Sequence, residues 1–200
     1  FRNLYLNYQS FENLYNSLDA AYLIPNIKID NDYIANELGL KKGESISYHY
    51  VKHNIGNFKD LFQKHEDILN SDINDLNELD RSIFTLLLNV WDREISYEES
   101  IAMFVLENPN QPLKIIPPDP YVEDEPWLSP LEALASKNGP PTEKQIELLS
   151  LLESYLSGRV NSDEAKADSA LAGYKTMVSD MTTDVNQKLL EREIWYNKTN

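Results

Sequence analysis

Hydrophobic residues recur at three- and four-residue steps along most of this 200-residue chain, the spacing that gathers side chains on one helix face. Leu4, Tyr8, Phe11, Tyr15 and Leu18 predict a first helix over Asn3–Leu18, closed off by Pro25. Asp30 suits an N-cap for a short helix over Asn31–Leu38, with Gly39 just beyond its end. After a turn at Lys41–Gly43 the period changes. Ile46, Tyr48 and Tyr50 alternate with Ser45, Ser47 and His49, so Glu44–Val51 reads as a half-buried strand. A turn at Asn54–Asn57 leads back to helical spacing over Phe58–Leu69, with Phe58, Leu61, Phe62, His65 and Leu69 inward.

The strongest helical pattern starts at Ser71, as cap, and runs to about Asp92. Ile73, Leu76, Leu79, Ile83, Phe84, Leu87, Leu88 and Trp91 form its apolar side. Ser96 and Glu99 have the spacing of a capping box and predict a separate helix over Tyr97–Glu107. Ser129-Pro130 places a cap and then proline at the first helical position. Thr142 and Gln145 repeat the capping box and open Glu143–Ser157, which shows Ile146, Leu149, Leu152 and Leu156 and stops at Gly158. Asn161 or Ser162 caps the last element. From Ala167 on, Ala170, Tyr174, Met177, Met181, Val185, Leu189 and Arg192 form a heptad-like seam, suited to a coiled-coil partner or to an antiparallel hairpin with Glu143–Ser157.

Ile115–Pro130 interrupts these patterns with five of the ten prolines, four carboxylates and no basic residue. Each proline removes a backbone donor and pushes its predecessor toward extended geometry. The expected fold is therefore mainly α. A helical N-terminal domain with a minor β-hairpin or strand covers 1–114, a proline-rich acidic strap or linker 115–130, and a C-terminal helical hairpin with a long last helix 131–200. Tyr121 and Trp127 make the strap a segment that docks, on this chain or on another.

Charge narrows the function classes. The formal net charge is −15, and residues 66–116 hold eleven acids against three bases. Such a surface repels nucleic-acid backbone and anionic membrane and favours a basic protein partner. With no cysteine in the chain, disulfides and thiolate chemistry drop out. No apolar run reaches the roughly 18–20 residues of a membrane span, and the first residues lack the basic-then-apolar order of a signal peptide. The compartment expected is the cytoplasm or a macromolecular assembly.

All three histidines, His49, His53 and His65, lie close together in sequence and are the candidate metal ligands. On a helix the four-residue step from His49 to His53 would put both rings on one face. On the strand predicted here it separates them by roughly 13 Å, and position 50 is Tyr where a zinc hydrolase helix needs Glu. Ile34–Leu40 resembles the first helix and turn of a helix-turn-helix, with Ile46–Tyr50 opening the second helix among local lysines. No catalytic residue and no cofactor is expected. The leading function is a non-enzymatic protein–protein interaction or assembly subunit of a larger complex, viral assemblies and acidic inhibitors of basic proteins being examples. Its partner contacts would be Tyr121, Trp127, Tyr174, Met177, Met181 and Leu189, through basic partners or self-association of the last helix. The alternatives are a DNA-binding regulator using 34–53 and a metal-dependent hydrolase using the histidines.

Overall fold

Two clusters of buried side chains organise the chain, each drawing on residues far apart in sequence. The computed structural model describes residues 12, 15–107, 113–121, 125–135 and 139–182, without the side chains of 104–107. A helical segment α1 at 15–20 precedes β1 (Ile27–Lys28), α2 (Asp32–Leu38), β2 (Ser45–Ile46), α3 (Tyr48–His53) and α4 (Ile55–Lys64). A 3-10 turn (Glu66–Asn70) leads to α5 (Glu78–Glu107), followed by α6 (Pro130–Leu134), α7 (Glu143–Val160) and α8 (Glu164–Met181). The fold is mainly α. Among the described residues the sheet is one antiparallel pair, with Ile27 opposite Ile46 and Lys28 opposite Ser45.

Local hydrogen bonding decides several elements against their sequence pattern. Asn31, not Asp30, caps α2, accepting from the Tyr33 and Ile34 amides, while Gly39 ends it at φ 68°. The strand expected over Glu44–Val51 is only Ser45–Ile46, because the Ser47 side chain accepts from the Tyr50 amide and starts α3. The turn expected at Asn54–Asn57 shrinks to Asn54, and α4 begins at Ile55. The 3-10 turn, with three residues per turn, shifts the inward phase, so that Ile68 is buried and Leu69 exposed.

The two helices expected between Ser71 and Glu107 are one helix of 30 residues, about 45 Å long at 1.5 Å per residue. Ser71 is outside it, donating to the Asp67 carbonyl. Ser96 does not cap; it donates back to the Asp92 carbonyl within the helix. A capping box needs a backbone break, and neither Pro nor Gly occurs between 78 and 107.

The first cluster joins Ile27, Ile29, Ile46, Val51, Phe58 and Leu61 to Ile83, Leu86 and Val90 of α5. The second joins Leu18, Ala21 and Leu23 to Ile116 of the strap, Ala133 of α6, Leu148 and Leu149 of α7 and Met181 of α8. The expected capping box of Thr142 with Gln145 forms, and the expected Ser129 cap turns out to be a box as well, completed by Glu132. The helix α7 runs through Gly158 to Val160. Gly158 is a crossing point: a Cβ there would sit 2.6 Å from the Ala167 backbone nitrogen. Asp163, not Asn161 or Ser162, caps α8, accepting from the Lys166 amide.

The proline-rich strap is clasped onto this hairpin. Ile116 and Leu128 exchange backbone hydrogen bonds of 2.9 and 2.7 Å across it. The Tyr174 hydroxyl donates to the Ile115 carbonyl at 2.5 Å, and the Gln145 side chain donates to the Pro117 carbonyl.

Candidate functional site

The inner face of α5 fills the first cluster, and its outer face carries apolar residues that nothing among the described residues covers. Leu88, Trp91, Ile95 and Met103 are 44%, 58%, 47% and 56% exposed. At 3.6 residues per turn Leu88, Trp91, Ile95 and Ala102 fall in one stripe, with Met103 beside it. Asp92 and Glu98 flank the stripe, Glu99 lies within it, and all three are exposed. Isolated exposed apolar residues are ordinary, but a continuous row rimmed by charge marks an interaction surface. The steps of three and four match the anchor spacing of helix-in-groove recognition.

A second feature is a polar seam where α3 and β2 meet the α7–α8 hairpin. Glu153 is buried in α7, its carboxylate accepting from the Ser47 hydroxyl at 3.1 Å. Burial pushes the Glu153 carboxyl above the usual range, against the opposing pull of Ser47, Lys166 and His53. Lys166 donates to the buried Ser157 hydroxyl at 2.8 Å. At the α7–α8 corner the Asn161 amide accepts from the Ser45 N–H and donates to the Ser45 carbonyl, both at 2.8 Å. One side chain thus pairs with the outer edge of β2 as a strand would. On the α5 side, the rings of Tyr22, Tyr48 and Tyr97 meet with centroids 5.3 to 5.9 Å apart, and the Lys52 ammonium lies 4.2 Å over the Tyr97 ring.

The histidines separate into two places. Because α3 is a helix, His49 and His53 do share a face, with ring centroids 4.3 Å apart. His49 is buried, and its Nε2 has no hydrogen-bond partner among the described residues. Burial, with smaller contributions from His53 and Lys52, lowers its pKa to about 3, so it is neutral. The His53 Nδ1 sits 2.9 Å from the His49 carbonyl. His65 lies apart, against the Tyr33 ring and near Asp80. No group of three or more His, Cys, Asp or Glu among the described residues is placed to hold a metal ion.

Of the six residues expected to touch partners, three are engaged within the chain. Tyr174, Met177 and Met181 pack into the second cluster, and burial pushes the Tyr174 hydroxyl pKa up to about 12. Tyr121 and Trp127 are half-buried. Leu189 lies outside the described residues. Ile95 and Met103 were not legible as surface residues while a helix break was expected at Ser96. The seven-residue step Leu88–Ile95–Ala102 across that position was the available signal. No helix among the described residues is long and apolar enough to cross a membrane. No protein-family model, curated protein or solved structure matches the chain.

Proposed function

We propose that this chain is a non-enzymatic protein–protein interaction or assembly subunit that takes a basic amphipathic helix of a partner along the outer face of α5. The observation that carries the reading is the exposed stripe Leu88–Trp91–Ile95 with Met103 beside it, flanked by Asp92 and Glu98 and carrying Glu99 within it. Apolar anchors supply affinity, and carboxylates on both flanks select a partner with lysine or arginine beside its own anchors. The same carboxylates oppose a second copy of this chain, since each stripe would bring its own negative rim. The strap and last helix offer less free apolar surface, because Ile115, Ile116, Leu128, Tyr174, Met177 and Met181 pack into the second cluster, while Tyr121 and Trp127 stay half-buried. A DNA-reading role has less support. The helix α3 has only six residues and leaves just Tyr50, Lys52 and His53 toward solvent, few side chains to read a groove.

The test is titration of the full chain with a lysine-rich amphipathic helical peptide, beside a glutamate-rich peptide with the same apolar face. The lysine peptide is expected to bind and to weaken steeply with salt. Trp91→Ser and Ile95→Asn, both at exposed positions, are each expected to weaken it at least tenfold. Equal binding of the two peptides, or no effect of either substitution, would sink the proposal.

A further inference from the structure

The two edges of the small sheet are treated differently. In an antiparallel pair, alternate residues turn both N–H and C=O to the partner strand or away from it. Ile29 bonds toward β2, donating to the Glu44 carbonyl and accepting from the Gly43 amide. Ser45 therefore turns away, where the Asn161 amide meets it. By the same alternation Lys28, opposite Ser45, turns its N–H and C=O to the free edge of β1, and Asp30 continues that edge. Neither residue's backbone has a hydrogen-bond partner among the described residues. Their side chains are exposed, whereas Ile27 and Ile29 are buried.

This edge opens onto a groove of about 560 Å³. One wall is Lys28–Asn31. The other is the flank of α5 at Ser82, Thr85 and Asn89, all short side chains, and Ile29, Ile34 and Leu86 form an apolar floor. Glu78 and Arg81 stand at one end. Lys28 is paired with Asp30, and Arg81 donates to the Asn74 carbonyl, so an incoming cation would meet Glu78.

We infer that this groove binds an extended peptide segment of a partner, which adds to β1 as a third strand. Only an extended main chain offers the alternating donors and acceptors that Lys28 and Asp30 require. Small branched side chains facing inward suit the Ile29–Ile34–Leu86 floor, and a lysine facing outward suits Glu78. The site is separate from the stripe of the preceding section, which lies about a quarter turn around α5, so each can fail without the other.

The probe is a capped heptapeptide alternating valine and lysine, with a same-composition control whose valines and lysines are in blocks. Amide exchange by NMR is followed in the full chain. In the free protein the Lys28 and Asp30 amides are expected to exchange fast, and those of Ile27 and Ile29 slowly. The alternating peptide should slow Lys28 at least tenfold. N-methylation along the peptide should abolish binding at every second residue, the period of a strand. Thr85→Trp fills the groove from an exposed position and should remove binding while leaving the stripe's response to a lysine-rich helix unchanged. Already slow exchange at Lys28 in the free protein, equal binding of the block peptide, or an N-methyl profile without the two-residue period would each overturn the inference.

Discussion

Replacing Gly158 by alanine tests how the C-terminal hairpin is held. The new Cβ would lie 2.6 Å from the Ala167 nitrogen, 2.8 Å from the Asp163 carbonyl oxygen and 3.0 Å from the Ala167 Cα, where ordinary contact starts at 3.4 Å. All three are backbone atoms, so no side chain can swing aside. The helices must part by about 0.8 Å, or the corner that holds Asp163 N–H on the Gly158 carbonyl at 2.7 Å must distort. Overpacking of this kind costs about 1–3 kcal/mol, and weakening the corner hydrogen bond adds about 1 kcal/mol. Alanine's helix preference over glycine returns about 1 kcal/mol. The net expectation is a loss of about 2 kcal/mol, a Tm lower by about 4–8 °C in a chain of this size. Gly173→Ala is the matched control. Its Cβ would meet only the Leu151 methyls, the nearer at 3.1 Å, and a leucine side chain can rotate. That variant is expected to be neutral or more stable by about 0.5 kcal/mol. Thermal and urea melts followed by circular dichroism read both. If Gly158→Ala melts with the parent, or Gly173→Ala is the worse of the two, the close approach at Gly158 does not hold the hairpin.

Three further perturbations address buried polar groups, His49 and two members of the polar seam. His49 has a folded pKa of about 3, below its unfolded value near 6.5, so the unfolded chain binds more protons between those limits. The stability from neutral His49 is present above about pH 6.5 and lost as pH falls. At pH 5 the loss is about 2 kcal/mol, and His49→Gln should shrink by that amount the difference between the unfolding free energies that urea melts give at pH 7.5 and 5. The Glu153 carboxyl is shifted upward by burial, so its contribution has the opposite sign: stability falls as pH rises above the unfolded carboxylate value. Glu153→Gln keeps an acceptor for Ser47 and is expected to gain stability at pH 7.5 and little at pH 4; a gain at pH 4 alone would contradict the assignment. Asn161→Ala leaves the Ser45 N–H and C=O without partners and should cost about 2–4 kcal/mol, with faster amide exchange at Ser45 as the local readout.

Features written in neighbouring residues were legible in the sequence. The Ser129 cap before Pro130 and the Thr142–Gln145 box lie within a few residues, and Gly39 ends a helix by its own conformational freedom. The same local logic misled at Ser96, where capping chemistry sits inside an unbroken helix and bonds backward. It misled again at Glu44–Val51, where alternation suggests a strand but the Ser47 cap settles the conformation from Tyr48 onward. Gly158 looked like a helix stop because glycine often is one, and its reason for being there lies nine residues on, at Ala167. The Asn161–Ser45 pair, 116 residues apart, left no local trace. Of the α5 stripe, Leu88 and Trp91 were visible as apolar, but their exposure follows from which face the first cluster claims.

The second cluster also sets an order of events during synthesis. Leu18, Ala21 and Leu23 are synthesised well before packing partners that include Leu148, Leu149 and Met181. These apolar residues must wait for more than a hundred further residues before their core can close. Contacts of such long sequence separation slow folding, because the loop must be closed before it is rewarded. A nascent chain halted after α5 would still display Leu18, Ala21 and Leu23. The later α7–α8 hairpin is therefore what covers these earlier apolar residues.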